Sequence, residues 1–566
     1  VILKRLVEYA DSRMKLPPPM YGEAPVRWFV ELDSEGNFLG FTPRGGDTKS
    51  NRRGESLMVP TIVRAAGIKP KLLADNGEYV LGIGRPGAKP DKVAERHRQF
   101  IDLVRRCAED TGEPSVNAVV NFLERWSSDD TDLLPDDFDP ADNLAFRVGS
   151  VIPTDLSRVQ AFWASQTSGE KNPVMTCLVT GEVGPVVQRM PVKVKGLTGI
   201  GGQASGTSLV SANASAFESY GLDNSLTSPI SRDAGERFGK ALNHLLASER
   251  SRIYVGPTVY AFWTREESDF DFAGFLREPD PQSVKRLLDS PRTGQEQYGV
   301  RPNDFYVLAL SASGGRAVVR DWLETTVPRA RENLKRWFIA QRIVNAWGEA
   351  AGPMGVYSLA ASAYRDANKE MVPTVPAALV RAALTGGHLP EDLLVRAVRR
   401  TRAEGDVSRP RATLMKLVLS YGRGGEELTG TLEKLDREHP EAAYHCGRLL
   451  AELEALQRAA IPGVKATIVD RYYGSASSTP ASVFGTLMRN HQAHIGKLRK
   501  ERPGVGAAIQ DRIGEIAEKI GPVFPSTLSM REQAVFALGY YHQRAHNRAE
   551  ARAARETREQ SNKEES

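Results

Sequence analysis

The spacing of apolar positions changes character a little past the middle of the chain. Up to about Trp322, helical and alternating stretches are interleaved; beyond it the helical period dominates and alternation vanishes. Residues 1–15 place Leu3, Leu6, Tyr9 and Ala10 on one helical face. The run 26–41 alternates around Ser34, Glu35, Gly36 and Asn37, which predicts a hairpin. Phe100, Leu103, Val104 and Cys107 stand at helical spacing inside a long helix predicted over 91–125. Strands are expected at 146–151 and 174–180, with 181–185 as a turn. A helix follows at 231–246, and buried strands at 253–263 and 305–311.

In the helical part, Cys446, Leu449, Leu453 and Leu456 form one apolar stripe, and Ile509, Ile513, Ile516 and Ile520 another. Thr479–Pro480 marks a helix start, with proline at the first helical position. Ser529 and Glu532 have the spacing of a capping box ahead of 534–541. Pro373 and Pro376 suggest a linker. The expected fold class is therefore α+β: a mixed α/β domain over 1–372, then a helical bundle over 373–566. From about Arg552 the Arg/Glu alternation suggests a fraying helix or a disordered tail.

Composition narrows the function classes. A 41% hydrophobic fraction supports packed cores, and the net charge is only +5. The three cysteines, Cys107, Cys177 and Cys446, contain no CxxC pair, so a zinc ribbon is not expected. There is no signal-peptide pattern. No uncharged apolar run approaches the roughly 18 residues of a membrane span, so a cytoplasmic chain with no membrane partner is expected.

The densest chemistry lies between Lys193 and Gly221, KVKGLTGIGGQASGTSLVSANASAFESYG. Two lysines precede a glycine-rich run carrying hydroxyl and amide groups, which suits recognition of an extended polyanion. Neither the GxxxxGK[ST] arrangement nor a dinucleotide fingerprint is present. A plain structural turn is the competing reading. Phe217 and Tyr220 are expected to be core anchors, and Asn213 a hydrogen-bonding candidate. A second polar loop, residues 44–54, carries Arg44, Lys49, Arg52 and Arg53, suited to clamping phosphates. Arg396, Arg399, Arg400, Arg402, Arg409 and Arg411 form one basic stretch; Arg489, Lys497, Arg499 and Lys500 form another. Arg471, Tyr472 and Tyr473 precede the helix start at Pro480, where anions are favoured. Seven aspartates at 129–142 suggest an exposed, helix-capping loop more than a metal site, and His491 and His494 lack a third ligand.

Four segments together carry a resemblance: CLVTGEVGP at 177–185, NASAFESYG at 213–221, RYYGSASSTPASVF at 471–484 and ALGYYHQR at 537–544. In this order they resemble the large subunit of the type I-C CRISPR Cascade, the Csd-type subfamily, over nearly the whole chain. The resemblance implies a non-catalytic subunit with no cofactor and no metal. It implies recognition of a protospacer-adjacent motif in double-stranded DNA, help in opening the duplex, and retention of the displaced strand in an R-loop. The implied partners are a crRNA-containing complex of backbone subunits, a crRNA-processing subunit and small subunits, together with target DNA and a separate helicase–nuclease. The C-terminal bundle looks like a Cascade small subunit. A separate small subunit made by internal translation is also implied, with Met415 one possible start.

Residue chemistry then distributes the roles. Lys195, Gln203, Ser205, Thr207, Ser208 and Asn213 are expected to read DNA. Arg44, Lys49, Arg52, Arg53 and Lys193 would position its backbone. Arg471, Arg489, Lys497, Arg499 and Lys500 would line the displaced-strand path. Two competing functions remain: a metal-dependent nuclease or hydrolase using the 129–142 aspartates, and a scaffold whose loops touch only protein.

Overall fold

A computed structural model describes residues 1–566 apart from 15, 17, 19, 46–53, 63–66, 169–172, 213, 291–301, 422–431 and 565–566, and apart from the side chains at 558 and 561–564. Leaving aside the first two residues, it forms two compact units. One comprises 3–192 and 211–241, the other 193–210 and 242–566.

The first unit is built on a four-stranded mixed sheet. Strand Trp28–Leu32 pairs antiparallel with Phe38–Pro43 and parallel with Asn143–Val148, which pairs in turn with Ala74–Asn76. The period-two rule sorts the side chains. Trp28, Val30 and Leu32 enter a core with Phe100, Leu103, Val104, Cys107 and Phe122, while Phe29 joins Val26, Val59 and Ala145 on the other side. The expected hairpin is present, its turn closed by the Asp33 carboxylate, which accepts the N–H groups of Glu35 (3.0 Å) and Asn37 (2.8 Å).

Two elements differ from expectation here. The 91–125 helix is two helices, Pro90–Thr111 and Pro114–Arg125. Gly112 caps the first in the left-handed region (φ +63°), and Pro114 both lacks an N–H and holds Glu113 extended. The 174–180 strand is a short ribbon, Val174–Thr176 paired with Val183–Pro185, because the turn begins at Cys177.

The second unit opens with an antiparallel meander of Arg252–Val255, Thr258–Thr264, Asp304–Ser313 and Arg316–Thr326. Residues 253–263 thus form two strands, broken at Gly256, and strand structure continues past Trp322. The last strand escapes the alternation rule because its burial is irregular, with arginines and acids interleaved. Nor is there a linker at Pro373 and Pro376. Pro373 precedes helix Thr374–Thr385, whose Val375, Leu379 and Val380 share a core with Leu334 and Trp337 of helix Val327–Ala340. Proline is tolerated in a first turn, where its missing N–H has no helical partner. The expected 372/373 boundary therefore lies inside the second unit.

That core continues into the C-terminal helices: Glu391–Glu404, Arg409–Ser420, Ala442–Ala460, Ile468–Ala476, Pro480–Glu501, Pro503–Ile520 and Met530–Glu564. Both expected apolar stripes are buried. The capping box forms as expected: Ser529 Oγ accepts the Glu532 N–H (3.3 Å), and Glu532 accepts the Ser529 N–H (2.7 Å). The terminal helix runs on through Arg552, which pairs with Glu349 and Glu556.

Helices Ala442–Ala460 and Met530–Glu564 meet backbone to backbone. A Cβ on Gly447 would lie 2.0 Å from the Phe536 carbonyl oxygen, and one on Gly539 would lie 2.0 Å from that of Tyr444. Beside this crossing runs a buried polar network. Glu452 accepts from Gln543 (2.8 Å) and Arg512 (3.0 Å), Arg448 donates to Gln543 (2.9 Å) and Glu515 (3.0 Å), and Tyr540 donates to Glu454 (2.7 Å). Buried charges persist only when paired in this way. Gly447→Ala is expected to destabilise the protein by at least about 1–3 kcal/mol in chemical denaturation, the usual range for overpacking. Gly485→Ala, on a helix face with nothing within 4 Å, is expected to stabilise by up to about 1 kcal/mol. Equal effects would contradict the crossing geometry.

Candidate nucleic-acid interface

The glycine-rich segment begins and ends on one backbone bridge. Val194 N–H donates to Thr207 O (2.7 Å), and Thr207 N–H donates to Val194 O (2.8 Å). Between these residues the chain makes a 3₁₀ turn at Thr198–Ile200 and a second turn in which Gly206 N–H reaches Gln203 O (2.9 Å). Gly206 has φ +95°, and a Cβ there would lie 2.8 Å from Lys193 Cβ, so only glycine closes the loop. Two side chains clamp the loop from outside. Asn243 accepts the Lys195 N–H (2.8 Å) and donates to Lys193 O (3.0 Å), while the Tyr254 hydroxyl donates to Gly196 O (2.6 Å). Downstream, Ser208 pairs with the hairpin tip: its N–H reaches Gly315 O (2.9 Å), and its carbonyl accepts from Ala317 (3.0 Å).

This scaffold separates the expected reading residues. Lys193, Lys195, Gln203 and Ser205 are exposed together on the loop. Thr207 is fully buried, its hydroxyl 3.4 Å from Val194 O, because it forms the bridge; it is structural and does not face a ligand. Ser208 is half-buried, with its backbone engaged by the hairpin. Asn213 lies outside the described residues. Residues 211–221 belong to the first unit. There the expected core anchors are absent: Tyr220 is 99% exposed and Phe217 46%. Tyr220 sits in a tight turn with φ +55°, which turns its ring outward from the chain.

The other cation sets fare differently. Arg44 is half-buried, ion-paired with Glu55 and stacked 5.5 Å from the Phe29 ring centroid, so much of its charge is compensated. Lys49, Arg52 and Arg53 lie outside the described residues. Arg471, Arg489, Lys497, Arg499 and Lys500 are all exposed. Arg471 is on helix Ile468–Ala476, where Tyr473 is buried, and so does not sit in a loop before Pro480. On helix Pro480–Glu501, 3.6 residues per turn put Arg489 and Lys500 within about 20° of each other, with Lys497 and Arg499 about 80° to either side. Lys497 donates to Ala460 O (2.7 Å) and thereby caps helix Ala442–Ala460. The 396–411 basic stretch is largely structural: Arg396 pairs with Asp392, Arg400 and Arg411 with Glu404, and Arg409 with the Gly352 carbonyl. His491 is buried and bonded to Met488 O.

Several of the aspartates are also engaged. Asp137 binds buried Arg27 (2.7 Å), and Asp130 and Asp139 accept backbone N–H groups of Ser127 (3.1 Å) and Ala141 (2.8 Å). Among the described residues, no group of three His, Cys, Asp or Glu side chains is placed to hold a metal ion, and no helix is long and apolar enough to cross a membrane.

The family model for CRISPR-associated protein (Cas_Csd1) matches residues 3–547. The chain belongs to the Cas_Csd1 family. No curated protein matches it. Within this Csd1-type chain, parts of the segments that carry the resemblance serve packing and local hydrogen bonding. In 537–544, Gly539 permits the helix crossing, Tyr541 donates to Val344 O (2.8 Å), and His542 meets the Tyr444 hydroxyl (2.9 Å). In 177–185, the Cys177 sulfur accepts the Ser231 N–H (3.3 Å). Burial pushes this thiol up, but the donors on Ser231, Thr180 and Val179 outweigh it and bring it down to about 7.

Sequence reasoning missed Asn243 and Tyr254, since no local pattern links them to a loop some fifty residues upstream. Asn243→Ala removes both clamp bonds. It is expected to cost about 1–3 kcal/mol, at roughly 0.5–1.5 kcal/mol per hydrogen bond, and to expose 195–206 to limited proteolysis. An unchanged digestion pattern would show that the bridge and Tyr254 hold the loop without Asn243.

Proposed function

We propose that this chain is the non-catalytic large subunit of a type I-C crRNA-guided surveillance complex in the cytoplasm. It recognises the protospacer-adjacent motif in double-stranded DNA, aids duplex opening, stabilises the R-loop, and helps recruit a helicase–nuclease. The observation that carries this reading is the fixed loop that presents Lys193, Lys195, Gln203 and Ser205 together. Guided complexes leave target sequence to RNA base pairing, so protein need read only a short duplex motif. The two lysines supply phosphate contacts, and the amide and hydroxyl supply donors and acceptors for base edges. Exposed Arg471, Arg489, Arg499 and Lys500 offer a sequence-neutral surface for the displaced strand. The non-catalytic reading rests on the aspartates at 129–142, of which Asp137 neutralises Arg27 and Asp130 and Asp139 shape the loop.

In the assembled complex, Lys193→Gln with Lys195→Gln is expected to weaken duplex binding for every flanking sequence and to reduce the salt slope by about two. Gln203→Ala and Ser205→Ala are expected to change which flanking bases are tolerated, measured by a binding screen over randomised flanks. If both pairs of variants shift all sequences equally, the division between positioning and reading fails.

A further inference from the structure

Residues 214–221 of the first unit are exposed without a break, yet their shape is fixed. Both roots are pinned. Ala212 is buried before them, Ser225 and Leu226 are buried after them, and the Ser225 N–H donates to Gln188 O (3.1 Å). Between the roots the backbone bonds to itself. A 3₁₀ turn at Ser215–Phe217 brings the Phe217 N–H to Ala214 O (2.9 Å) and the Glu218 N–H to Ser215 O (3.1 Å). Ser219 and Leu222 then exchange two bonds, of 2.9 and 3.4 Å.

Tyr220 and Gly221 form the tip, with φ +55° and +70°. Positive φ at both central residues of a two-residue turn is the type I′ geometry, which Asn-Gly takes readily and tyrosine does not. Of the four non-glycine residues with positive φ among the described ones, Tyr220 and Asn224 both lie in this short segment. A bulky ring is thus held at a strained position and almost wholly in solvent, where burial within the chain repays none of the strain. Phe217, three residues earlier, is exposed as well. The charged residues from 211 to 225 are Glu218 and Asp223, both acidic and both exposed. The Asp223 carboxylate accepts a bond from Asn224 (3.4 Å).

We propose that this turn is a docking knob for another protein subunit. Tyr220 enters an apolar cleft on the partner, Phe217 packs at the mouth of the cleft, and Glu218 and Asp223 face basic side chains on its rim. Aromatic side chains on a preformed turn make effective interface anchors, because little is left to order when the partner arrives. Nucleic acid fits less well. A base stacks on tyrosine, but a strand's phosphates need cations along the same groove, and 211–225 supplies two acids instead. The inference rests on the reading of this chain as one subunit of a larger complex; it does not use the 193–208 loop.

The test measures association of the full chain with the remaining protein subunits, purified together on crRNA without it. Tyr220→Asn builds the favoured Asn-Gly turn, so thermal unfolding of the free chain is expected to stay the same or rise. Association is expected to weaken about tenfold or more, as on loss of an aromatic anchor. Glu218→Lys with Asp223→Lys is expected to weaken association too, most strongly at low salt. A photoreactive phenylalanine at position 220 is expected to crosslink to a protein subunit before any target DNA is added. Crosslinks to crRNA alone, or to DNA alone once target is present, assign the turn to nucleic acid and overturn the inference. Association untouched by Tyr220→Asn, or by the charge reversal, overturns it as well. If the unaltered chain does not join the other subunits at all, the subunit reading fails and takes this one with it; if it joins and Tyr220→Asn joins equally well, only this one fails.

Discussion

A loop made of glycine and small polar residues has no core of its own, so its shape must come from satisfying its backbone elsewhere. That constraint governs the 193–208 segment. The Val194–Thr207 bridge closes its base, Asn243 and Tyr254 fix its first turn, and the Gly314–Gly315 hairpin tip takes up Ser208. The polar side chains at its tip are thereby released from structural duty. A loop of this composition without such pairing would lose more entropy on ordering than a few phosphate contacts return. The meander that carries the tip and the helix that carries Asn243 thus hold the loop's shape, although neither need touch a ligand.

The helical part solves a different problem. Two long helices approach at Gly447 and Gly539 until no side chain fits between them, and the charges brought inside are paired one by one through Arg448, Glu452, Glu454, Arg512 and Gln543. A network of ion pairs and hydrogen bonds of this kind favours one packing over its alternatives. It also explains why 537–544 is so distinctive: nearly every position there serves the crossing or the network.

The apolar stripes, the capping box, the first hairpin and the α+β class were legible in the chain, because each rests on local periodicity or a local hydrogen bond. Helix breaks at Gly112–Pro114 were legible in principle and were overridden by the long apolar period around Phe100. Other features were not legible. Thr207 looks like a neighbour of Ser205 in sequence, yet it is buried by pairing with a residue thirteen positions away. Arg400 and Arg411 look like a basic face, yet they share Glu404. Phe217 and Tyr220 look like anchors, yet short turns leave them outside. In each case the deciding partner is set by tertiary contact or by backbone strain that no spacing encodes.

The central claim is that the tip of the 193–208 loop meets DNA. A photoreactive side chain placed at position 205 of the chain, within an assembled complex on target duplex, tests it most directly. Crosslinks to the DNA flanking the guide-paired region are the predicted result. Crosslinks to protein alone, with the duplex fully bound, would contradict it.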